Sequence, residues 1–159
     1  RKSLQNLLGQ NTLTGCTGLF NRALSDVITK EPEYCVMHDW WLILVACCFG
    51  EISAIEKQTI LYRQHHDNMV GASDVKNLSY QIRRFFRGDD VRHAIEITYM
   101  QAQSLYDMYK DKLSEEQKTI IEEYLSIPHL PKIKRIQKII KGGYLKNTFV
   151  RKIGHIVYV

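Results

Sequence analysis

The residues best suited to chemistry lie in two short stretches, His38-Asp39-Trp40-Trp41 and Tyr62-Arg63-Gln64-His65-His66-Asp67-Asn68-Met69-Val70-Gly71-Ala72. Asp39 immediately precedes an apolar run, where a helix begins. A carboxylate there reads either as a first-turn acid that stabilises the helix or as a general base held within hydrogen-bond reach of a hydroxyl. His38 reads as an orienting neighbour of that carboxylate. His65, His66 and Asp67 have the residue types of a metal cluster, but adjacent residues on a strand point to opposite sides, so at most one histidine faces a given site unless a turn intervenes. Arg63 suits either a salt bridge or an anion such as a diphosphate.

Around these stretches the sequence alternates between two kinds of segment. Asn11 to Phe20 mixes Thr, Gly and Cys with apolar residues and predicts a strand ending in a glycine turn. Asn21 caps a short helix with Leu24, Val27 and Ile28 on one face, and Pro32 ends it. Trp40 to Phe49 followed by Gly50 predicts a buried helix with Asp39 at its start. Ile52 to Ile55 and Thr59 to Tyr62 predict two short strands with Glu56-Lys57-Gln58 as the turn.

From Ser73 the period becomes helical. Leu78, Ile82, Phe85 and Phe86 share a face, Gly88-Asp89-Asp90 interrupts it, and a long stripe runs from Val91 through Ile95, Thr98, Ala102 and Leu105 to Tyr109. Ser114 with Gln117 forms a capping box for a further helix. Pro128 and Pro131 then separate it from a tail in which Ile133, Ile136, Ile139 and Ile140 lie opposite lysines. The expected organisation is a mixed segment over 1–72, a helical extension over 73–128 and a basic amphipathic tail over 129–159.

Composition narrows the possible settings. The 159 residues are 45% apolar, enough for a real core. The longest apolar run is too short for a membrane span, and no continuous apolar region follows Arg1-Lys2 as in a signal peptide. Cys16, Cys35, Cys47 and Cys48 form no CxxC pair and predict free, buried thiols in a reducing compartment. The net charge of +5 belongs to the tail: 129–159 holds eight Lys or Arg and no Asp or Glu. All 17 acidic residues lie before it, against 14 of the 22 basic ones. A basic helix with an isoleucine stripe fits an anionic membrane surface.

The passage Asn11-Thr12-Leu13-Thr14-Gly15-Cys16-Thr17-Gly18-Leu19-Phe20-Asn21-Arg22, then HDWW, then ILYRQHHDNMVGA, resembles the C-terminal half of family-two glycosyltransferases, in particular the bacterial rhamnosyltransferase-like members. The resemblance covers roughly residues 9 to 72. It implies an α/β fold, namely the C-terminal part of a GT-A domain with a few short strands, followed by the helical extension. It further implies an inverting enzyme with Asp39 as catalytic base. Thr14, Gly15, His38, Trp40 and Arg63 would contact substrate, and His65 would ligate a divalent cation, Mg²⁺ or Mn²⁺.

The implied partners are a nucleotide-sugar donor and a saccharide or lipid-linked acceptor in cell-surface polysaccharide synthesis. The expected place is the cytoplasmic, inner face of the cell membrane, held peripherally, with no nucleic-acid partner. Members of that family carry an Asp-x-Asp metal motif in a nucleotide-binding half. No Asp-x-Asp occurs here, so the chain reads as a fragment, inactive alone. Two other readings compete with this one. A His-Asp metal phosphohydrolase needs a histidine before the pair, and none of the six precedes His38. A non-enzymatic helical module would bind membrane or nucleic acid through the tail alone.

Overall fold

Residues 3–61 and 88–159 are described by a computed structural model. Among them every regular element is a helix, and there is no strand. In order these are α1 (Leu4–Gly9), a 3₁₀ turn (Gly15–Thr17), α2 (Arg22–Val27), α3 (His38–Phe49), α4 (Gly88–Tyr109), α5 (Glu115–Ser126), a second 3₁₀ turn (Ile127–His129), α6 (Lys132–Lys141) and α7 (Phe149–Tyr158). The expected α/β, GT-A-type architecture is therefore corrected to an all-helical one.

The strands fail for local reasons. Between Asn11 and Phe20 the polar side chains bond to nearby backbone in place of a ladder. Asn11 Oδ1 accepts from the Leu13 amide at 2.9 Å, and the Thr17 hydroxyl donates to the Thr14 carbonyl at 2.7 Å. Residues 51–61 are exposed throughout, with Leu61 fully so and Ile55 at 78%. A strand needs both a hydrogen-bonding neighbour and a face to bury, and this segment has neither among the described residues. Tyr62, and the apolar stripe of Leu78 to Phe86, lie outside the described residues.

Where helix signals are strong, the caps form as the residue types require. Asn21 Oδ1 accepts from Leu24 N at 3.0 Å, and Ser114 and Gln117 complete a reciprocal capping box. α3 is apolar on nearly all sides and is accordingly buried on most of them, through Trp40, Trp41, Ile43, Leu44 and Val45. α4 turns Ile95, Thr98, Ala102, Leu105 and Tyr109 inward, as the stripe predicts; among the described residues it begins at Gly88, with Asp89 and Asp90 in its first turn. α6 ends in a Schellman turn: Gly143 takes φ +77°, and the Tyr144 amide reaches back to the Ile139 carbonyl at 3.1 Å.

One core draws on all three sequence segments. Leu4, Leu7 and Leu8 of α1 meet Trp41 and Leu44 of α3, Leu105 and Tyr109 of α4, Ile121 and Tyr124 of α5, and Ile139 and Tyr144. α1 lies against α3, α4 and α5 together, and α7 lies against α4. Three tyrosines pack ring against ring at a tilt through this core, Tyr99 on Tyr124 at 4.8 Å and Tyr124 on Tyr144 at 5.0 Å between ring centroids. Their polar ends are largely satisfied: Tyr124 shares a hydrogen bond with Thr98 at 2.7 Å, and Tyr144 donates to the Ile120 carbonyl at 2.8 Å.

The isoleucine stripe of α6 is split by this packing. Ile139 is fully buried, Ile133 and Ile140 face solvent, and on α7 Phe149, Ile153 and Val157 are exposed apolar residues. The cysteines also divide. All four are free, but Cys16 and Cys35 are exposed, while Cys47 and Cys48 are half-buried on α3. Burial, with a smaller contribution from Cys47, pushes the Cys48 thiol up to about 12.

His155 of α7 is 1% exposed, and neither ring nitrogen finds a hydrogen-bond partner among the described residues. Burial, aided by the charge of Lys146, lowers its pKa to about 3. The unfolded chain binds a proton near pH 6.5 that the folded chain refuses, so stability falls as pH drops from 6.5 toward 3. Between pH 7 and pH 5 the unfolding free energy of the wild type should fall by about 2 kcal/mol more than that of His155→Leu, measured by urea titration. Equal losses in the two proteins would remove His155 as the source.

Candidate functional site

Asp39 sits in the first turn of α3 and is 4% exposed. Its Oδ1 accepts a hydrogen bond from Asn11 Nδ2 at 3.0 Å and another from the Trp40 amide at 2.7 Å. Among the described residues Oδ2 has no hydrogen-bond donor, and it faces Gly15. A Cβ placed on Gly15 would lie 3.4 Å from Asp39 Oδ2, 3.3 Å from Asp39 Cβ and 3.0 Å from His38 Nε2. A side chain at 15 would thus push against the His38 ring and cover the carboxylate oxygen that remains available. Residues 11 and 15 come to Asp39 because the Asn11 side chain folds the backbone at Leu13, and the turn at Gly15–Thr17 then brings the chain across the start of α3.

The approach to α3 is fixed from the other side by α4. Ser104 Oγ accepts from the Tyr34 amide at 2.9 Å, and Gln101 Oε1 accepts from the Val36 amide at 2.9 Å. Both side chains are buried, so the extended segment before His38 has its donors satisfied by a helix some 65 residues later. Cys35 lies between these two anchors. Although Cys35 is exposed as a residue, partial desolvation of its thiol raises its pKa, a hydrogen bond with the Met37 backbone opposes this, and the Asp39 charge adds to the rise.

The expected substrate contacts separate into distinct positions. His38 is exposed and borders Gly15. Thr14 is exposed, and its carbonyl closes the turn by accepting from Thr17. Trp40 is buried and donates its indole N–H to the Leu7 carbonyl at 2.7 Å, which joins α3 to α1. Arg63 and His65, and with them His66, lie outside the described residues. Among the described residues no three His, Cys, Asp or Glu side chains gather in a way that would hold a metal ion.

Asn11, Gln101 and Ser104 carry parts of this arrangement that the sequence assigned to nothing. Asn11 stands at the start of the expected strand and of the passage that carries the resemblance, where no role of its own is assigned to it. For Gln101 and Ser104 the signal was a pair of polar residues beside the apolar stripe of α4, a pattern that marks buried hydrogen bonding. Searches against protein-family models, curated proteins and solved structures returned no match. No helix among the described residues is long and apolar enough to cross a membrane.

Gln101→Ala strands the Val36 amide next to the start of α3. The expected loss is about 1–3 kcal/mol of unfolding free energy, read from urea denaturation. Faster hydrogen exchange at Val36 should accompany it. A loss within experimental error, with unchanged exchange, would show that α4 does not fix this segment.

Proposed function

We propose that this chain supplies the catalytic base and the acceptor side of an inverting glycosyltransferase. The transfer would move a deoxyhexose such as rhamnose, or a hexose, from a nucleoside diphosphate to a saccharide or lipid-linked acceptor in cell-surface polysaccharide synthesis. What supports this most is the 3.0 Å hydrogen bond from Asn11 to Asp39, because it joins two of the three stretches on which the resemblance stands. Gly15 against His38 and Asp39 joins them a second time. The sheet expected with that resemblance is not part of the proposal; its chemistry requires only the carboxylate and what orients it.

In this scheme Oδ1 is held by Asn11 and the Trp40 amide, and Oδ2 takes the proton of the acceptor hydroxyl. The hydroxyl oxygen forms a bond to the anomeric carbon as the bond to the diphosphate oxygen breaks. The nucleoside diphosphate leaves with the electron pair from the opposite face, and the anomeric configuration inverts. The 159 residues hold no Asp-x-Asp, so in this scheme the donor diphosphate is not held by that motif; Arg63 has the residue type for it. The divalent cation, Mg²⁺ or Mn²⁺, would act at that diphosphate, and no step assigned to Asp39 passes through it. Contact with an anionic membrane surface on the cytoplasmic side belongs to the same proposal. It is supported by the acid-free basic tail and by the exposed apolar residues of α6 and α7.

Asp39→Asn in the full-length enzyme should lower kcat by about 10²–10⁴-fold, the range for losing a general base. Donor affinity should stay within twofold, measured by titration calorimetry. Turnover equal to the wild type would eliminate Asp39 as the base.

A further inference from the structure

α7 turns its apolar side away from the protein. Phe149, Val150, Ile153, Ile156 and Val157 fall at i, i+1, i+4, i+7 and i+8, which is one face of a 3.6-residue period. Phe149 is 76% exposed, Val157 41% and Ile153 38%, and Val150 and Ile156 are half-buried. The residues of this helix that are buried, Gly154 and His155, lie off that face. An amphipathic helix that serves a core does the reverse.

The other side is what docks. α7 packs against α4 with His155 enclosed, and the Tyr158 ring lies so close to Gly88 that a Cβ there would stand 2.6 Å from Tyr158 Cε1. Arg92 sits 5.7 Å from the centroid of the same ring, and Lys132 donates to the Val157 carbonyl at 2.9 Å. Ahead of the helix, Asn147 is tied to the first helix of the chain: its side chain accepts from Asn6 Nδ2 at 3.0 Å, and its amide donates to Gln10 Oε1 at 3.0 Å. With both ends held, the apolar face is fixed outward.

The charge around this face indicates its partner. Lys152 is exposed and lies one helical turn from both Phe149 and Ile156, at the edge of the apolar face. Lys134 and Lys141 are exposed on α6, which also exposes Ile133 and Ile140. Glu123, 3.7 Å from Lys138, and the carboxylate of Val159 offset only part of the eight cations of 129–159, which contains no Asp or Glu. A second copy laid on this face would bring cations against cations, whereas anionic headgroups neutralise them.

We infer that α7 is an in-plane anchor: docked to α4 by its other side, it lays Phe149, Ile153 and Val157 into the interface of an anionic bilayer, with the Lys152 ammonium at headgroup level. Helices with this division of apolar and basic residues lie in the interface plane, and a lysine stem reaches from apolar surface to the headgroups. The fold need not open, because the face already points outward. The inference rests on the membrane contact proposed above and deepens it, and it is independent of the sugar transfer.

The test uses the full 159-residue chain in flotation with phosphatidylcholine vesicles, with or without phosphatidylglycerol, and in sedimentation without lipid. The chain should float with the vesicles that contain phosphatidylglycerol. Phe149→Ser with Ile153→Ser should lower that partitioning by about tenfold or more, with the thermal midpoint unchanged because both side chains are exposed. Lys152→Gln should lower it by about fivefold. Ile133→Ser with Ile140→Ser on α6 should lower it by less than about threefold, since those residues flank the anchor without forming it. Flotation kept by the α7 double variant but lost by the α6 one overturns the assignment to α7 and leaves the membrane contact standing. No flotation of the wild type overturns both. A lipid-free dimer that the α7 double variant converts to monomer would give the face to a second copy, which also overturns the inference. Asp39→Asn should float as the wild type does, so failure of the sugar-transfer reading leaves this result in place.

Discussion

The structure depends on the burial of α1. A helix of six residues cannot persist alone in water, so α1 exists because Leu7 and Leu8, both essentially inaccessible, fill the space between α3, α4 and α5. Its backbone is used as well, since the Leu7 carbonyl accepts the Trp40 indole N–H. The next two side chains then reach in different directions. Gln10 accepts from the Asn147 amide at 3.0 Å and so orders the approach to α7, and Asn11 donates to Asp39. The position of the carboxylate is thus inherited from leucines that never touch it.

α3 is held at both ends by residues from later in the chain. At its start, Gln101 and Ser104 of α4 fix the incoming backbone. At its end, Gln117, whose Oε1 accepts from the Ser114 amide in the α5 capping box, donates its Nε2 N–H to the Cys48 carbonyl at 2.8 Å. Satisfying orphan helix-end groups with distant side chains couples local structure to tertiary structure. The helices that read as an appendage to the acceptor side are therefore part of what holds Asp39 in place.

Much of this was legible where a single residue type enforces a single geometry. Asn21, Ser114 and Gln117 cap as written, the apolar run after Asp39 becomes a buried helix, and the stripe of α4 faces inward. A strand-like or striped pattern does not by itself fix a structure. Ile52 to Leu61 has strand-like composition, but nothing among the described residues pairs with it, and β propensity expresses packing more than backbone preference. The isoleucines of α6 looked like one face, yet they flank the buried edge, so Ile139 turns inward while Ile133 remains outside. The Asn11–Asp39 bond spans 28 residues, and no local rule predicts such a pairing.

That bond is also where the account can be tested most directly. A double-mutant cycle of Asn11→Ala and Asp39→Ala, measured by urea unfolding, isolates the pair from everything else either residue does. A hydrogen bond to a buried carboxylate predicts a coupling of about 1.5–3 kcal/mol. Single-mutant costs that add to within about 0.5 kcal/mol would contradict the claim that the Asn11 to Gly15 passage and the start of α3 form one site.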